Sequence, residues 1–217
     1  MKLQLYTLFL CLVFFSCGQN RNTEPSTSVV EDSAARVTAP ETVAAQPTTV
    51  EQIKQRYADI NAKLQGGLLD SVAYKYDCNG ERSGTVTYFS NHGKLAMIKH
   101  SYNEYSHFEA TDQYFISNDH LFFAHFRRSN WSFESGQAAD GATKDNITEQ
   151  RFYVANEKSL LCLEKKYTKR SHADHNPLPA KVQNKQVACK PIEPLIRDFN
   201  QLIDFKNSGD HDCLGKS

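Results

Sequence analysis

Tryptophan, methionine and glycine are scarce in this chain: one Trp, two Met and ten Gly in 217 residues. So few glycines exclude a collagen-like or glycine-rich repeat. A charge surplus is also missing, since 25 Lys and Arg stand against 25 Asp and Glu. Nucleic-acid binders ordinarily carry a basic excess, so no nucleic-acid partner is expected. A long apolar run is lacking too. The greasiest stretch, Leu3 to Phe15, has 13 residues. As a helix it covers about 20 Å, short of the ~30 Å hydrocarbon core of a bilayer. Between Gly18 and Thr48 there is no Leu, Ile, Phe, Tyr or Trp, and prolines stand at 25, 40 and 47. Such a segment cannot bury enough apolar surface to offset its ordering entropy. It reads as a disordered tether, with an average reach of about 30 Å and about 100 Å at full extension.

The chain does have aromatics, 13 Phe and 10 Tyr, which suit half-buried pleated surfaces. It also has an export signature. Met1-Lys2 precedes the short apolar run, the pattern of a secretory signal peptide. Phe14-Phe15-Ser16-Cys17 ends it and resembles the lipobox of bacterial lipoproteins. Ser16 and Cys17 match that pattern; Phe14 and Phe15 are larger than its usual residues. Cys11 does not fit, because Leu10 is not small. The alternative is simple secretion, with cleavage after Gly18 and small residues at Gly18 and Ser16. The resemblance covers about the first twenty residues. It implies a lipid anchor on Cys17 and a membrane partner for that lipid. It places the protein in the bacterial cell envelope, at the outer membrane facing the periplasm. The domain plan is then a signal peptide over 1–16, lipidated cysteine and tether over 17–48, and one globular domain over 49–217.

Thr48-x-x-Glu51 predicts a capping box. Ile53, Tyr57, Ile60 and Leu64 follow at helical intervals and Gly66-Gly67 ends them, which predicts a helix over about 49–65. From Leu68 to about Tyr167 the period is two: Val72, Tyr74 and Tyr76 alternate with Ser71, Ala73, Lys75 and Asp77. Asn79-Gly80 signals a turn. Three segments share a plan: TYFSNHGKLAMI, QYFISNDHLFFA and RFYVANEKSLLC. Each runs from an aromatic pair through a polar turn to an apolar run containing Leu95, Leu121 or Leu160, as strand, turn and strand. The units resemble the short β-hairpin repeats of the MORN type, but the glycine pattern of those repeats is absent except at Gly84 and Gly93, and an ordinary aromatic meander has the same look. Phe108, Ala110, Tyr114 and Ile116 share one face of their strand, and Glu109, Thr111 and Gln113 the other, as in a half-solvated antiparallel sheet. LFFAHF, 121–126, is apolar on both faces and predicts a central strand. Residues 134–146 read as a polar loop. Ile192, Leu195, Ile196, Phe199, Leu202 and Ile203 then form one helical stripe, with Pro191 at its start and Asn207-Ser208-Gly209 at its end. The expected fold is α+β: an antiparallel meander of about seven strands packed by an N-terminal and a C-terminal helix.

Cys78, Cys162, Cys189 and Cys213 remain beside Cys17. An even count in an exported protein favours disulfides, with three pairings possible. We favour Cys162 with Cys189 and Cys78 with Cys213. No two cysteines have a short metal-ligand spacing. His172-Ala-Asp174-His175 could contribute to a divalent-ion site, but two imidazoles and a carboxylate on one loop read better as solvated polar sequence. Asp210-His211-Asp212 is similar. Gly209 to Gly215-Lys216-Ser217 has the wrong spacing for a phosphate loop and no helix follows it. Asp77-x-Asn79-Gly80 misplaces the glycine of a calcium loop. Lys165, Lys166, Lys169 and Arg170 read as a solvated strand end. No nucleophile elbow, paired carboxylates or cofactor fingerprint is present. The expectation is therefore a non-catalytic binding or envelope-assembly module, with no metal and no cofactor. Its partner would be an envelope protein or glycan. The rivals are an inhibitor or immunity protein against a wall-degrading enzyme or toxin, and a hydrolase with a dispersed site.

Overall fold

A computed structural model describes residues 45–136 and 140–215 of the chain. Cys17, the lipobox-like stretch and the tether up to residue 44 lie outside the described residues.

The first helix, α1, spans Val50–Gln65. Its capping box sits one residue later than the sequence suggests. Thr49, not Thr48, caps the helix, and Gln52, not Glu51, closes the box. The Gln52 amide donates to Thr49 Oγ1 at 3.3 Å, while Gln52 Oε1 accepts from the Thr48 and Thr49 amides. A glutamine closes the box as well as a glutamate. The apolar stripe is the expected one, with Ile53 and Ile60 fully buried. Each such side chain contributes roughly 1.5–3 kcal/mol.

Eight strands follow in one antiparallel sheet: β1 (Asp70–Cys78), β2 (Arg82–Asn91), β3 (Lys94–Glu104), β4 (Phe108–Ser117), β5 (His120–Phe133), β6 (Thr143–Ala155), β7 (Lys158–Arg170) and β8 (Lys185–Val187). Spatial order equals chain order, so every pairing is a hairpin or short return. The expected seven strands become eight because β8 pairs with Cys162–Glu164. Its three residues are exposed and leave no alternation to read. The expected 134–146 loop is shorter too, because Thr143–Asn146 pair with Phe133–Asn130 at the start of β6. The last helix, α2, covers Glu193–Asn207, and the proline in its first turn is Pro194. Pro191 lies two residues outside.

The three similar segments are the β2–β3, β4–β5 and β6–β7 hairpins. Each has a two-residue turn with both residues at positive φ: His92-Gly93, Asn118-Asp119 and Asn156-Glu157. That geometry matches the twist of the flanking strands. Each hairpin also shifts register at the second aromatic of its pair, after Phe89, Phe115 and Tyr153. The extra residue is Ala96, Phe122 or Leu160. Leu160 is therefore not the counterpart of Leu95 and Leu121, and its eight-residue spacing reflects that offset. It is 45 % exposed, whereas Leu121 is buried.

The aromatic pairs split across the sheet. Phe115, Phe123, Tyr153 and Met97 join Ile53 and Ile60 in one buried cluster, and Tyr57 meets Phe115 and Phe123 edge-on at 4.9 and 5.0 Å. Tyr88, Ile98, Tyr114 and Ile116 join Leu195, Phe199, Leu202 and Phe205 in another. There the buried Tyr88 hydroxyl donates to the Leu202 carbonyl at 2.6 Å, so its polar end is satisfied. The central β5 serves both clusters, through Phe123 and Ala124.

Cys78–Cys213 and Cys162–Cys189 stand at disulfide distance, with Cα separations of 4.8 and 5.3 Å. The first ties the C-terminal tail to the outer strand. Beside it the Asp77 amide donates to the Asp212 carbonyl at 2.8 Å, and His211 stacks on Tyr74 at 3.9 Å.

Candidate functional site

Alternation and register together make straight rows across a sheet. On the α1 face the row nearest the hairpin turns is Phe89, Met97, Phe115, Phe123, Tyr153 and Leu161. It is apolar, and α1 lies over it. One pair further along, the row is Thr87, Lys99, Gln113, His125 and Arg151. The next row crosses seven strands: Lys75, Thr85, Ser101, Thr111, Arg127, Glu149 and Lys165. The face thus changes from aromatic to polar within two residues along β2 to β6, and on β7 after Leu163, so the polar part offers a helix nothing apolar to cover.

At the β5–β7 side the polar rows are knitted together. Glu149 accepts from Tyr167 at 2.9 Å and pairs with Lys165 at 3.0 Å and His125 at 3.3 Å. Lys165 is only 6 % exposed and also donates to the Pro179 carbonyl at 2.7 Å. Burial alone would raise the Glu149 pKa, but its hydrogen bonds to Lys165, Tyr167 and His125 outweigh this and hold it low. Burial and nearby Arg151 push His125 below the usual histidine range, so its ring is neutral at pH 7. The solvated reading of the basic cluster is therefore corrected at Lys165: it is buried on the α1 face and neutralises a buried carboxylate. Lys166, on the opposite face, remains exposed and pairs with Glu164.

At the β1–β4 side the rows are open. The row from Lys75 to Arg127, with Ser83, Asn103 and Glu109 one pair further along, floors a groove of about 520 Å³. Ser101 and Thr111 hydroxyls approach at 3.4 Å, and Arg127 pairs with Glu109 at 3.1 Å. Lys75, Ser83, Thr85, Lys99 and Asn103 have no side-chain partner among the described residues.

The opposite face carries a second polar group at the border of the α2 cluster, where Tyr76 meets Phe205 of α2 edge-on at 6.0 Å. His100 is buried, bonds Tyr76 Oη at 2.8 Å and stacks on Tyr102 at 4.3 Å. Burial, with Arg82 and Arg128 nearby, pushes its pKa down to about 3. Buried Asp112 pairs with Arg128 at 3.0 Å, and desolvation raises its pKa. Gly84 is required beneath Tyr76: a Cβ there would stand 2.6 Å from the Ser101 carbonyl and 2.9 Å from Tyr76 Oη.

Of the residues singled out in the sequence, Cys78, Cys213, Cys162 and Cys189 come together in pairs, and Cys17 lies outside the described residues. His172, Asp174 and His175 stay on a surface loop, and among the described residues no three His, Cys, Asp or Glu side chains are placed to hold a metal. No helix among them is long and apolar enough to cross a membrane. Sequence reading missed the row from Lys75 to Lys165. Its signal was the odd-numbered polar side of each strand, counted outward from each turn. No family model, curated protein or solved structure matches this chain.

Proposed function

We propose that this chain is an exported, lipid-anchored protein of the bacterial cell envelope that works by binding, through the open groove on the α1 face. One observation carries the reading. α1 covers the aromatic row and stops, and further along the strands the polar row from Lys75 to Arg127, with Ser83, Asn103 and Glu109 beside it, floors a groove of about 520 Å³. The helices then act as covers for the two apolar clusters, and the uncovered polar floor is the surface left for a partner. The Glu149 network serves this role by stiffening one side of the floor, since a fully paired buried charge group fixes side-chain positions. A tether behind a Cys17 lipid would hold the domain within about 100 Å of the membrane.

The test is capture of envelope components by the full chain, compared with two variants. Thr85→Trp fills the groove floor, and Lys206→Glu changes a remote exposed residue on α2. Partners lost with Thr85→Trp and retained with Lys206→Glu support the groove. Identical partners for all three chains would remove it. Membrane fractionation of Cys17→Ser tests the anchor separately: the variant is expected in the soluble fraction, and its retention with membranes would refute lipidation at Cys17.

A further inference from the structure

The two edges of the sheet are built differently. β8 is three residues long, and so short a strand gives another chain little to pair with. β1 is nine residues long, contains no proline and pairs with β2 without a register shift. Its outer side is open. The Asp77 amide points outward, to the Asp212 carbonyl of the tail. Backbone groups alternate sides along a strand, so those of Ser71, Ala73 and Lys75 also point outward. Among the described residues none of the three has a backbone partner on that side. From Asp70 to Ala73 every residue is exposed, and the apolar Val72 is 54 % exposed.

A partner for this edge must bring an unpaired strand of its own, and the chain does. Parallel pairing of two β1 strands would set Lys75 beside Lys75 and Asp70 beside Asp70, and like charges opposite one another repel. Antiparallel pairing keeps them apart. The tail closes the edge at Asp77, so the free groups lie before it. A two-fold axis through Val72 lets Ser71 of each copy exchange bonds with Ala73 of the other. It leaves the two Lys75 residues about 20 Å apart along the strands. It also sets the exposed Val72 against its counterpart, in a non-hydrogen-bonded pair with Cα atoms about 4.5 Å apart. Such an interface uses the same patch on both copies and closes on itself. Both β1 edges disappear, and only β8 remains at each end of one continuous sheet.

We infer that a second copy of this chain pairs with β1, antiparallel and two-fold about Val72. This does not depend on what the groove binds. A contact of a few backbone bonds is far smaller than a standard interface, so association is weak and concentration-dependent. The test is sedimentation of the chain carrying Cys11→Ser and Cys17→Ser, which leaves only the four paired cysteines. From micromolar to millimolar concentration its average mass is expected to rise from one chain towards two. Ala73→Pro removes an outward amide and spares the β2 ladder. It is expected to abolish that rise with an unchanged circular dichroism spectrum. Under mild oxidation Val72→Cys is expected to cross-link two chains, because the paired Cα atoms fall within disulfide reach, whereas Lys75→Cys is not. A mass that stays at one chain over the whole range would overturn the inference, and so would an equal rise with Ala73→Pro. Cross-linking through Lys75→Cys rather than Val72→Cys would overturn the two-fold register.

Discussion

His100 makes stability depend on pH in a calculable way. It is 3 % exposed and packed among Tyr76 of β1, Arg82 of β2, Tyr102 of β3, Asp112 of β4 and Arg128 of β5. In the unfolded chain the ring takes a proton near pH 6.5, and in the folded chain only near pH 3. A depressed histidine pKa means the unfolded state binds more protons throughout that window. Stability is therefore full above pH 6.5 and falls as pH drops towards 3. One proton of difference is worth about 1.4 kcal/mol per pH unit, so His100 alone removes roughly 2 kcal/mol between pH 8 and pH 5. The assay is denaturant unfolding at several pH values under non-reducing conditions, for the native chain and His100→Gln. Glutamine can still bond the Tyr76 hydroxyl and cannot titrate. The variant loses the ring stack on Tyr102 and starts from lower stability, but that offset is constant with pH. His125, Glu149 and Asp112 titrate in both chains and largely cancel in the difference. Native stability should fall by roughly 2 kcal/mol more than that of the variant. Parallel curves would refute a neutral, buried His100.

Other perturbations follow from the same packing. The two disulfides close loops of 135 and 27 residues, so in the chain-entropy account losing Cys78–Cys213 costs about 1.5 kcal/mol more than losing Cys162–Cys189; serine variants compared by denaturant unfolding check the order, and the reverse order would contradict it. Gly84→Ala forces a methyl against the Ser101 carbonyl and should cost roughly 1–3 kcal/mol by overpacking, with the Tyr76–His100 bond disturbed in NMR spectra; an unchanged midpoint would refute the close approach. Glu149→Gln leaves Lys165 buried without its counter-charge and should cost roughly 3–5 kcal/mol, whereas Glu149→Leu with Lys165→Met should restore most of that. Equal losses in the single and double variants would show that the pair is not buried as a unit.

The helices and hairpins were legible because their signals are local. Ile53 to Leu64 repeats with the helix, and the turn pairs Asn79-Gly80 and His92-Gly93 mark strand ends within a few residues. The capping shift from Thr48 to Thr49 was not legible, since both threonines precede an acidic or amide residue at the same spacing. β8 escaped notice because Lys185–Val187 gain their strand character from β7, not from any pattern of their own. The bulges at Ala96, Phe122 and Leu160 were hidden for a related reason. One inserted residue changes which face follows, and three consecutive apolar residues do not say which of them is extra.

The groove was illegible for a deeper reason, and Lys165 shows it best. In sequence it is one of four cations near the end of a strand, and solvent is the ordinary place for such a run. Its neighbour Lys166 does sit in solvent. What separates the two is parity, which puts Lys165 on the α1 face, and register, which sets it beside Glu149, sixteen residues earlier and across a turn. Each further step along the row, to Arg127, Thr111, Ser101, Thr85 and Lys75, needs another register. A bulge missed in any of the three hairpins would shift every pair on the side away from the turn by one and move aromatics and charges between faces. The polar row is thus a property of six pairings taken together. Only when all six hold does the row become continuous, with Glu149 and Lys165 paired at one side and Lys75 unpaired at the other.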